Sequence, residues 1–166
     1  GDYDEGLHRY IVIPFVAMLG LNEWAIRLPN GLVGVLTVWV LYQLVMSLFQ
    51  DRRLAFAAAL FLAISPWHIH FSRWSVRAIL LPLFFCGGLY LFLIGLKQPW
   101  KLVLSGLVFG LSLHTYNSAR VFVPLFLLGL TWFYRQSLWR QRTYALIAAG
   151  TFSVILGALF SFWISP

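Results

Sequence analysis

Histidine and arginine residues are concentrated in two short polar stretches of an otherwise apolar chain. The first stretch, residues 65–77, reads SPWHIHFSRWSVR and contains His68, His70, Arg73 and Arg77. Arginine stays charged and offers a planar fork of donors that matches phosphate oxygens. Because His70, Arg73 and Arg77 follow one another at spacings of three and four residues, a helix that begins early would align them on one face. The stretch therefore predicts a phosphate-binding face.

A metal site is the alternative use of these histidines. His68 and His70 are two residues apart, so on a helix they point in different directions. The single cysteine, Cys86, lies in an apolar run and has no CxxC or Cys/His partner. A zinc ion normally takes three or four protein ligands. The sequence therefore predicts no metal-ligand set, implies no cofactor, and leaves the metal dependence of any reaction open.

The second polar stretch, residues 114–120, reads HTYNSAR and lies between two apolar runs. His114, Tyr116 and Asn117 carry hydrogen-bonding groups suited to sugar hydroxyls, and Arg120 is a further candidate for binding phosphate. The alternative is a simple turn, because Asn and Ser favour turns, with Arg120 at the membrane surface.

The N-terminus is acidic, with Asp2, Asp4 and Glu5 among its first six residues. A carboxylate at a membrane surface can act as the general base that deprotonates an acceptor hydroxyl. The alternative is a solvated acidic loop. The chain has neither an initiator Met nor a signal-peptide pattern at this end, so we expect it to be a fragment of a longer protein.

Composition indicates what solvent surrounds these polar stretches. Hydrophobic residues make up 61% of the 166 positions and charged residues 10%, with a mean hydropathy of +0.82. Soluble domains are about 45–50% apolar and about 25% charged. The formal net charge is +7, but the basic residues are scattered between apolar runs rather than gathered on one face, which argues against nucleic-acid binding. The composition predicts an integral protein of the cell membrane, surrounded by lipid.

The apolar runs predict an all-α, polytopic transmembrane helix bundle. A spanning helix needs about 20 mostly apolar residues, and none of the runs alternates as a membrane strand would. Six membrane helices are expected, at Leu32–Phe49, Leu54–Phe71, Ala78–Leu96, Leu102–Tyr116, Val121–Tyr134 and Tyr144–Ile164.

The first thirty residues differ from the rest of the chain. Leu7–Gly20 is apolar but too short to span and is interrupted by polar residues and a proline, so it predicts an amphipathic helix in the membrane interface with Tyr10, Phe15 and Trp24 as interfacial aromatics. We therefore divide the chain into a non-cytoplasmic loop, residues 1–30, and a transmembrane domain, residues 31–166.

Six alternating helices would distribute the polar segments over two ends of the bundle. We name these the histidine end (residues 1–30, 72–77 and 117–120), because all four histidines fall on or near it, and the lysine end (residues 50–53, 97–101 and 135–142), which holds both lysines. The histidine end carries five basic residues and the lysine end seven. Because cytoplasmic loops are enriched in Lys and Arg, the lysine end is expected to be cytoplasmic and the histidine end non-cytoplasmic.

Three segments resemble a known enzyme family. Gly20–Asn30 resembles the FGxxEfaxRLPsal segment of family 39-type glycosyltransferases of the GT-C superfamily, the group of the protein O-mannosyltransferases and the lipid A aminoarabinose transferase. Ser65–Arg73 resembles their SPwhihfSR stretch, and Thr115–Pro124 is similar to their tYxSARvfvP stretch. The three segments follow the family's order and spacing and together cover most of the chain.

The resemblance implies an enzyme that moves a sugar from a polyprenyl-phosphate donor to an acceptor on the non-cytoplasmic face. Donor phosphate would be bound by Arg73, Arg77, Arg120 and His70, and the isoprenoid tail by apolar helices among the membrane lipids. Asp4 and Glu5 are the catalytic candidates. They stand where relatives carry a basic, proline-rich stretch, so the alternative is a catalytic base upstream of Gly1.

Two other functions remain open from the sequence. A transporter or flippase would bind a polar or lipid-linked substrate among the same helices, but such proteins often contain internal repeats and helices interrupted at mid-membrane. No repeat is visible, and the polar residues gather at one end. A scaffold bundle without activity is the other alternative, because fold does not dictate function.

Overall fold

The computed structural model describes residues 7–74 and 77–164. Within these residues all regular structure is helical, as the composition predicts. The helices are α1 Leu7–Leu19, α2 Glu23–Phe49, α3 Arg52–Ile64, α4 Pro66–Arg73, α5 Leu80–Gly95, α6 Trp100–Ser112, α7 Ala119–Phe133, α8 Arg135–Arg140 and α9 Arg142–Ile164. A short 3₁₀ helix, Arg77–Ile79, precedes α5.

Capping residues define where the first helices begin and end. The Asn22 side chain accepts a hydrogen bond from the Ala25 amide at 2.8 Å and so caps the N-terminus of α2. At the other end, Gln50 adopts a left-handed conformation with φ 56°, and Asp51 accepts from the Arg53 amide at 2.8 Å. The left-handed residue ends α2 and the aspartate starts α3, so the two helices form a tight hairpin.

Five helices pack side by side in the order α3, α2, α5, α6 and α9. Helices α2 and α5 run parallel, because their contacts advance in the same direction along both helices. Val40 lies beside Gly87, and one turn later Gln43 Nε2 donates to the Tyr90 hydroxyl at 3.5 Å. Helices α5 and α6 are joined by the turn at residues 96–99 and run antiparallel, because Ser105 donates from Oγ to the Gly88 carbonyl at 2.8 Å.

Small residues allow α9 to approach α6 closely. Gly106 lies against the Ala148 carbonyl, and a Cβ on Gly110 would lie 2.6 Å from Ile155 Cδ1. The two glycines are four residues apart and form the GxxxG pattern that lets helix backbones approach in membranes. Because 106 faces 148 and 110 faces 155, α9 runs parallel to α6.

The core lies where α5, α6 and α7 meet. Its buried members are Phe92, Leu102, Phe109, Leu113, Ala119 and Val123. Phe85 adds a cluster of ring contacts, with its centroid 5.2 Å from Phe122 and 4.8 Å from Phe126. These contacts hold the N-terminal half of α7 against the start of α5 and the end of α6.

The six predicted membrane segments each contain a helix, although Leu102–Tyr116 extends into the turn that follows the end of α6 at Ser112, and six spans are not established. By length and composition, α2 is the one helix in the described residues that is long and apolar enough to cross a bilayer. The predicted segment Leu54–Phe71 is broken at Ser65, where α3 and α4 meet at a bend of 57°, and this pair would be a second span if counted as one. Pro66 causes the break, because a proline disfavours helical backbone in the residue before it.

The predicted helix at Leu7–Gly20 is confirmed as α1, which ends at Leu19 and packs against α2. Tyr10 and Trp24, two of the predicted interfacial aromatics, are exposed, whereas Phe15 is half-buried. The location of α1 in a membrane interface remains a prediction.

Candidate functional site

The first polar stretch is seated on the N-terminal half of α2. The His68 side chain is buried, and its Nε2 atom donates to the Gly34 carbonyl at 3.1 Å. A Cβ on Gly34 would lie 2.9 Å from Ser72 Cβ, so the absence of a side chain at this position lets α4 rest on α2. His68 is therefore a packing residue that fixes α4.

A second polar contact holds the end of the same stretch. Asn30, four residues before Gly34 on α2, is 1% exposed and donates from Nδ2 to the Trp74 carbonyl at 3.1 Å. The amide oxygen of Asn30 therefore faces His8 Nε2 on α1, at 2.9 Å. Because an amide oxygen can only accept, the donor in this contact is the His8 Nε2–H group. One buried amide thus joins α1, α2 and the residue that follows α4.

His70 and Arg73 lie on the accessible part of α4. The His70 ring stacks on Trp74, with centroids 5.1 Å apart and planes at 28°. Arg73 is the last residue of α4 and is exposed. The three-residue spacing therefore does place His70 and Arg73 along one helix, at its C-terminal end, where positive charge is favourable because the unpaired carbonyls are there.

The prediction that Arg73 and Arg77 share one helical face is wrong. Trp74 has φ −95° and ψ 137°, an extended conformation that ends α4, and Arg77 belongs to the separate 3₁₀ helix. The Asn30 hydrogen bond to the Trp74 carbonyl accompanies this change of direction. A three- or four-residue spacing aligns side chains only inside one continuous helix.

The second polar stretch is the connection between α6 and α7, as its turn-forming residues predict. Tyr116 and Asn117 are exposed, and their carbonyls accept from the Ala119 and Arg120 amides at 3.0 and 3.2 Å. Arg120 is half-buried in the first turn of α7. The sugar-binding candidates Tyr116 and Asn117 are thus accessible, with Arg120 three residues beyond.

His114, the third sugar-binding candidate, is half-buried in the same connection. Burial lowers the pKa of His114, a backbone hydrogen bond at Ile155 opposes this, and the charge of Arg120 lowers it further. The imidazole is therefore neutral at pH 7 and offers one donor and one acceptor rather than a positive charge.

The helix directions bring both polar stretches to one end of the molecule. Helices α2 and α5 run parallel, so their first turns lie at the same end, and α6 returns antiparallel to α5 and ends there. Helix α4 packs on the first half of α2 and also contacts the 3₁₀ helix before α5. The stretches at residues 65–77 and 114–120 therefore share the histidine end.

The acidic candidates Asp4 and Glu5 lie outside the described residues. Among those described at the histidine end, the Glu23 carboxylate pairs with Arg27 at 3.2 Å on the surface of α2. Within residues 7–74 and 77–164, His, Cys, Asp and Glu side chains form no group of three that would hold a metal ion.

An apolar cavity of about 310 Å³ lies between α6, α7 and α9, with a wall contributed by α8. Phe109, Leu128 and Phe152 are among its lining residues. Its position toward the lysine end separates it from the polar stretches, and its surface suits a hydrocarbon chain rather than a sugar.

Asn30 and Gly34 were not singled out as site residues by sequence reasoning. The signal was present, because an amide inside an apolar helix must find a polar partner, and a glycine four residues later lies on the same face. What the sequence did not contain was the identity of that partner, since Trp74 is 44 residues away.

One comparison with known proteins finds a match. The family model described as dolichyl-phosphate-mannose-protein mannosyltransferase matches residues 7–163, which is most of the chain. Neither a curated protein nor a solved structure gives a significant match. The matched range contains both polar stretches and the α1–α2–α4 contact.

Proposed function

The chain belongs to the dolichyl-phosphate-mannose-protein mannosyltransferase family, a family of membrane glycosyltransferases of the GT-C type, and on that premise we propose that it transfers a sugar from a polyprenyl-phosphate donor to an acceptor hydroxyl on the non-cytoplasmic face of the membrane. The family match over residues 7–163 carries this proposal, because it includes every described candidate for donor binding.

Arginine and histidine side chains at the histidine end support a donor-phosphate site. His70 and Arg73 lie at the C-terminal end of α4, and Arg120 lies in the first turn of α7 at the same end of the molecule. A guanidinium group binds phosphate oxygens through paired N–H donors. Arg73, Arg120 and His70, with Arg77 in the adjoining 3₁₀ helix, are the donor-phosphate residues of the proposal.

The proposed reaction exchanges one bond at the anomeric carbon of the sugar. The acceptor oxygen forms a bond to that carbon, the bond from the carbon to the phosphate oxygen breaks, and the electron pair leaves with the polyprenyl phosphate. The acceptor proton passes to a carboxylate, for which Asp4 and Glu5 are the candidates in this chain. Arginine side chains stabilise the negative charge that develops on the leaving phosphate.

Two further features support parts of the proposal. His114, Tyr116 and Asn117 supply hydrogen-bonding groups beside Arg120, which suits a sugar held next to its phosphate. The apolar cavity between α6, α7 and α9 provides hydrocarbon surface for lipid. The proposed donor therefore has a polar site for its head and apolar helices for its tail.

The test is sugar transfer in membranes of cells that express the protein, supplied with radiolabelled polyprenyl-phosphate sugars. We expect Arg73→Ala to abolish transfer without loss of expression, because the side chain is exposed at the C-terminal end of α4. Arg73→Lys keeps the charge but loses the planar fork, so partial activity is expected. Arg135→Ala is the matched control, since Arg135 stacks on Trp132 at the lysine end.

Unchanged transfer by Arg73→Ala would remove this residue from the site. Uptake of label across the membrane without transfer to an acceptor would favour the transporter or flippase instead. For the acidic candidates, Asp4→Asn and Glu5→Gln are compared separately, and full activity in both would place the base elsewhere.

A further inference from the structure

We propose that Asn30 is a positioning residue that couples α1 to α4 and thereby sets where His70 and Arg73 stand. The functional half of this inference rests on the proposed function, whereas the structural half concerns the fold alone. The inference rests on the buried side-chain amide of Asn30, which is hydrogen-bonded to His8 on one side and to the Trp74 carbonyl on the other.

Helix α4 is held on α2 at two points, one near each of its ends. Near its start, His68 donates to the Gly34 carbonyl at 3.1 Å, and just past its end Asn30 donates to the Trp74 carbonyl at 3.1 Å. Residues 30 and 34 are one turn apart on α2 and share a face. Two attachments fix both the position of α4 along α2 and its direction, which a single attachment would not.

The attachment at Asn30 acts on the candidate site through Trp74. The Trp74 amide donates to the His70 carbonyl at 3.1 Å, and the Trp74 ring stacks on the His70 ring. Arg73 is the residue directly before Trp74. Fixing the Trp74 carbonyl therefore fixes the last turn of α4, which carries the exposed side chains of His70 and Arg73.

His8 sets the orientation of the Asn30 amide. A terminal amide has a donor side and an acceptor side, and turning it over would present oxygen to the Trp74 carbonyl. The His8 Nε2–H group faces the Asn30 oxygen at 2.9 Å and stabilises the productive orientation. His8 lies in the first turn of α1, so Asn30 links α1 to the end of α4 that carries His70 and Arg73.

The structural test measures backbone hydrogen exchange in the purified protein in lipid nanodiscs. Asn30→Leu keeps a similar volume and removes both hydrogen bonds. We expect amides of residues 70–74 to exchange at least about 10-fold faster in this variant, because the end of α4 opens locally. Exchange in α5 and α6 should not change. Wild-type protection across residues 70–74 in Asn30→Leu would overturn the inference.

The functional test measures sugar transfer by the same variant. Displacement of a reacting group by about 1 Å can cost on the order of 100-fold in rate, so we expect kcat to fall by about that factor with a smaller change in KM for the donor. Asn22→Ala is the matched control, because it removes the two hydrogen bonds of another asparagine side chain, to the Leu19 carbonyl and the Ala25 amide, neither of which reaches α4. Transfer by this control should match the wild type.

A pair of His8 variants separates positioning from general stability. His8→Gln retains an N–H donor at a similar reach and should keep most of the transfer rate, whereas His8→Leu should lose it. Equal activity of the two variants would overturn the role given to His8.

The outcomes distinguish this inference from the proposed function. Faster exchange in Asn30→Leu with wild-type transfer overturns the positioning role if Arg73→Ala is inactive. If Arg73→Ala is also fully active, the proposed donor site is wrong, while the attachment of α4 by Asn30 is supported.

Discussion

The contact of α4 with α2 and the contact of α9 with α6 use the same device with different chemistry. In both, a helix approaches a glycine on its neighbour: α4 at Gly34 and α9 at Gly106 and Gly110. Around Gly34 the partners are polar, with His68 and Asn30 bonded to backbone carbonyls. Gly106 faces the Ala148 backbone, Gly110 faces the Ile155 side chain, and Ala148 and Phe152 of α9 pack against the apolar core.

The difference shows how each contact is specified. Apolar packing is specified by shape, so the α6–α9 contact should respond to changes in volume. Directional hydrogen bonds specify position, so the α2–α4 contact should respond to changes in donors, acceptors and register. Two of the residues proposed to bind donor phosphate, His70 and Arg73, lie on the second kind of contact, where a small displacement would alter function before stability.

The largest expected effect is on the α6–α9 contact. A Cβ at residue 106 would overlap the Ala148 backbone carbonyl, which cannot move without shifting α9. We expect Gly106→Ala to destabilise the protein by about 3 kcal/mol, at the upper end for overpacking. Thermal unfolding in detergent measures this. Gly150→Ala on α9 is the control, because nothing lies within 4 Å of its Cβ position, and it should be neutral or slightly stabilising.

An intermediate effect is expected on the α2–α4 contact. Gly34→Ala would push Ser72 and so move α4, while alanine gains about 1 kcal/mol of helix propensity over glycine. Stability should therefore change little, whereas sugar transfer should fall by about 10-fold or more through misplacement of Arg73. In Gly31→Ala the new methyl group meets nothing within 4 Å, so transfer should be normal. Equal transfer by the two variants would contradict the proposed sensitivity to register.

The smallest expected effect concerns a hydrogen bond inside the apolar region. Ser105, which is buried, donates to the Gly88 carbonyl of α5. Ser105→Ala removes this bond, and such interhelical bonds in membrane proteins average about 0.6 kcal/mol. We expect a loss of that order in thermal unfolding and no change in transfer. A loss as large as that of Gly106→Ala would mean that the α5–α6 contact also depends on a directional bond.

Sequence reasoning located the helices better than it located their ends. Apolar runs predicted six helical segments, and each coincides with a helix or, for Leu54–Phe71, with two helices meeting at Ser65. The break was readable, because Pro66 restricts the residue before it. The end of α4 at Arg73 lies two residues beyond the predicted end at Phe71. The expected Arg73–Arg77 face was wrong because Trp74 is extended and Arg77 belongs to a separate 3₁₀ helix.

Sequence reasoning was likewise correct for some residues of the candidate site and wrong for others. Residue types singled out arginine and histidine as suited to phosphate, and the turn at residues 114–120 was predicted from Asn and Ser. His68 was grouped with them, although its ring is buried and bonded to a carbonyl of α2. Residue type alone does not distinguish a histidine that packs between helices from one that binds a ligand, because only the surroundings of the side chain differ.

The sequence by itself determined the lipid-adapted composition, the helical segments and the family, because these depend on local periodicity and on short motifs. Tertiary structure alone decided which polar residues hold helices together and which remain accessible. The physical reason is that a hydrogen bond such as the one from Asn30 to Trp74 joins residues 44 positions apart, and only the packing of α4 on α2 makes the donor and the acceptor neighbours.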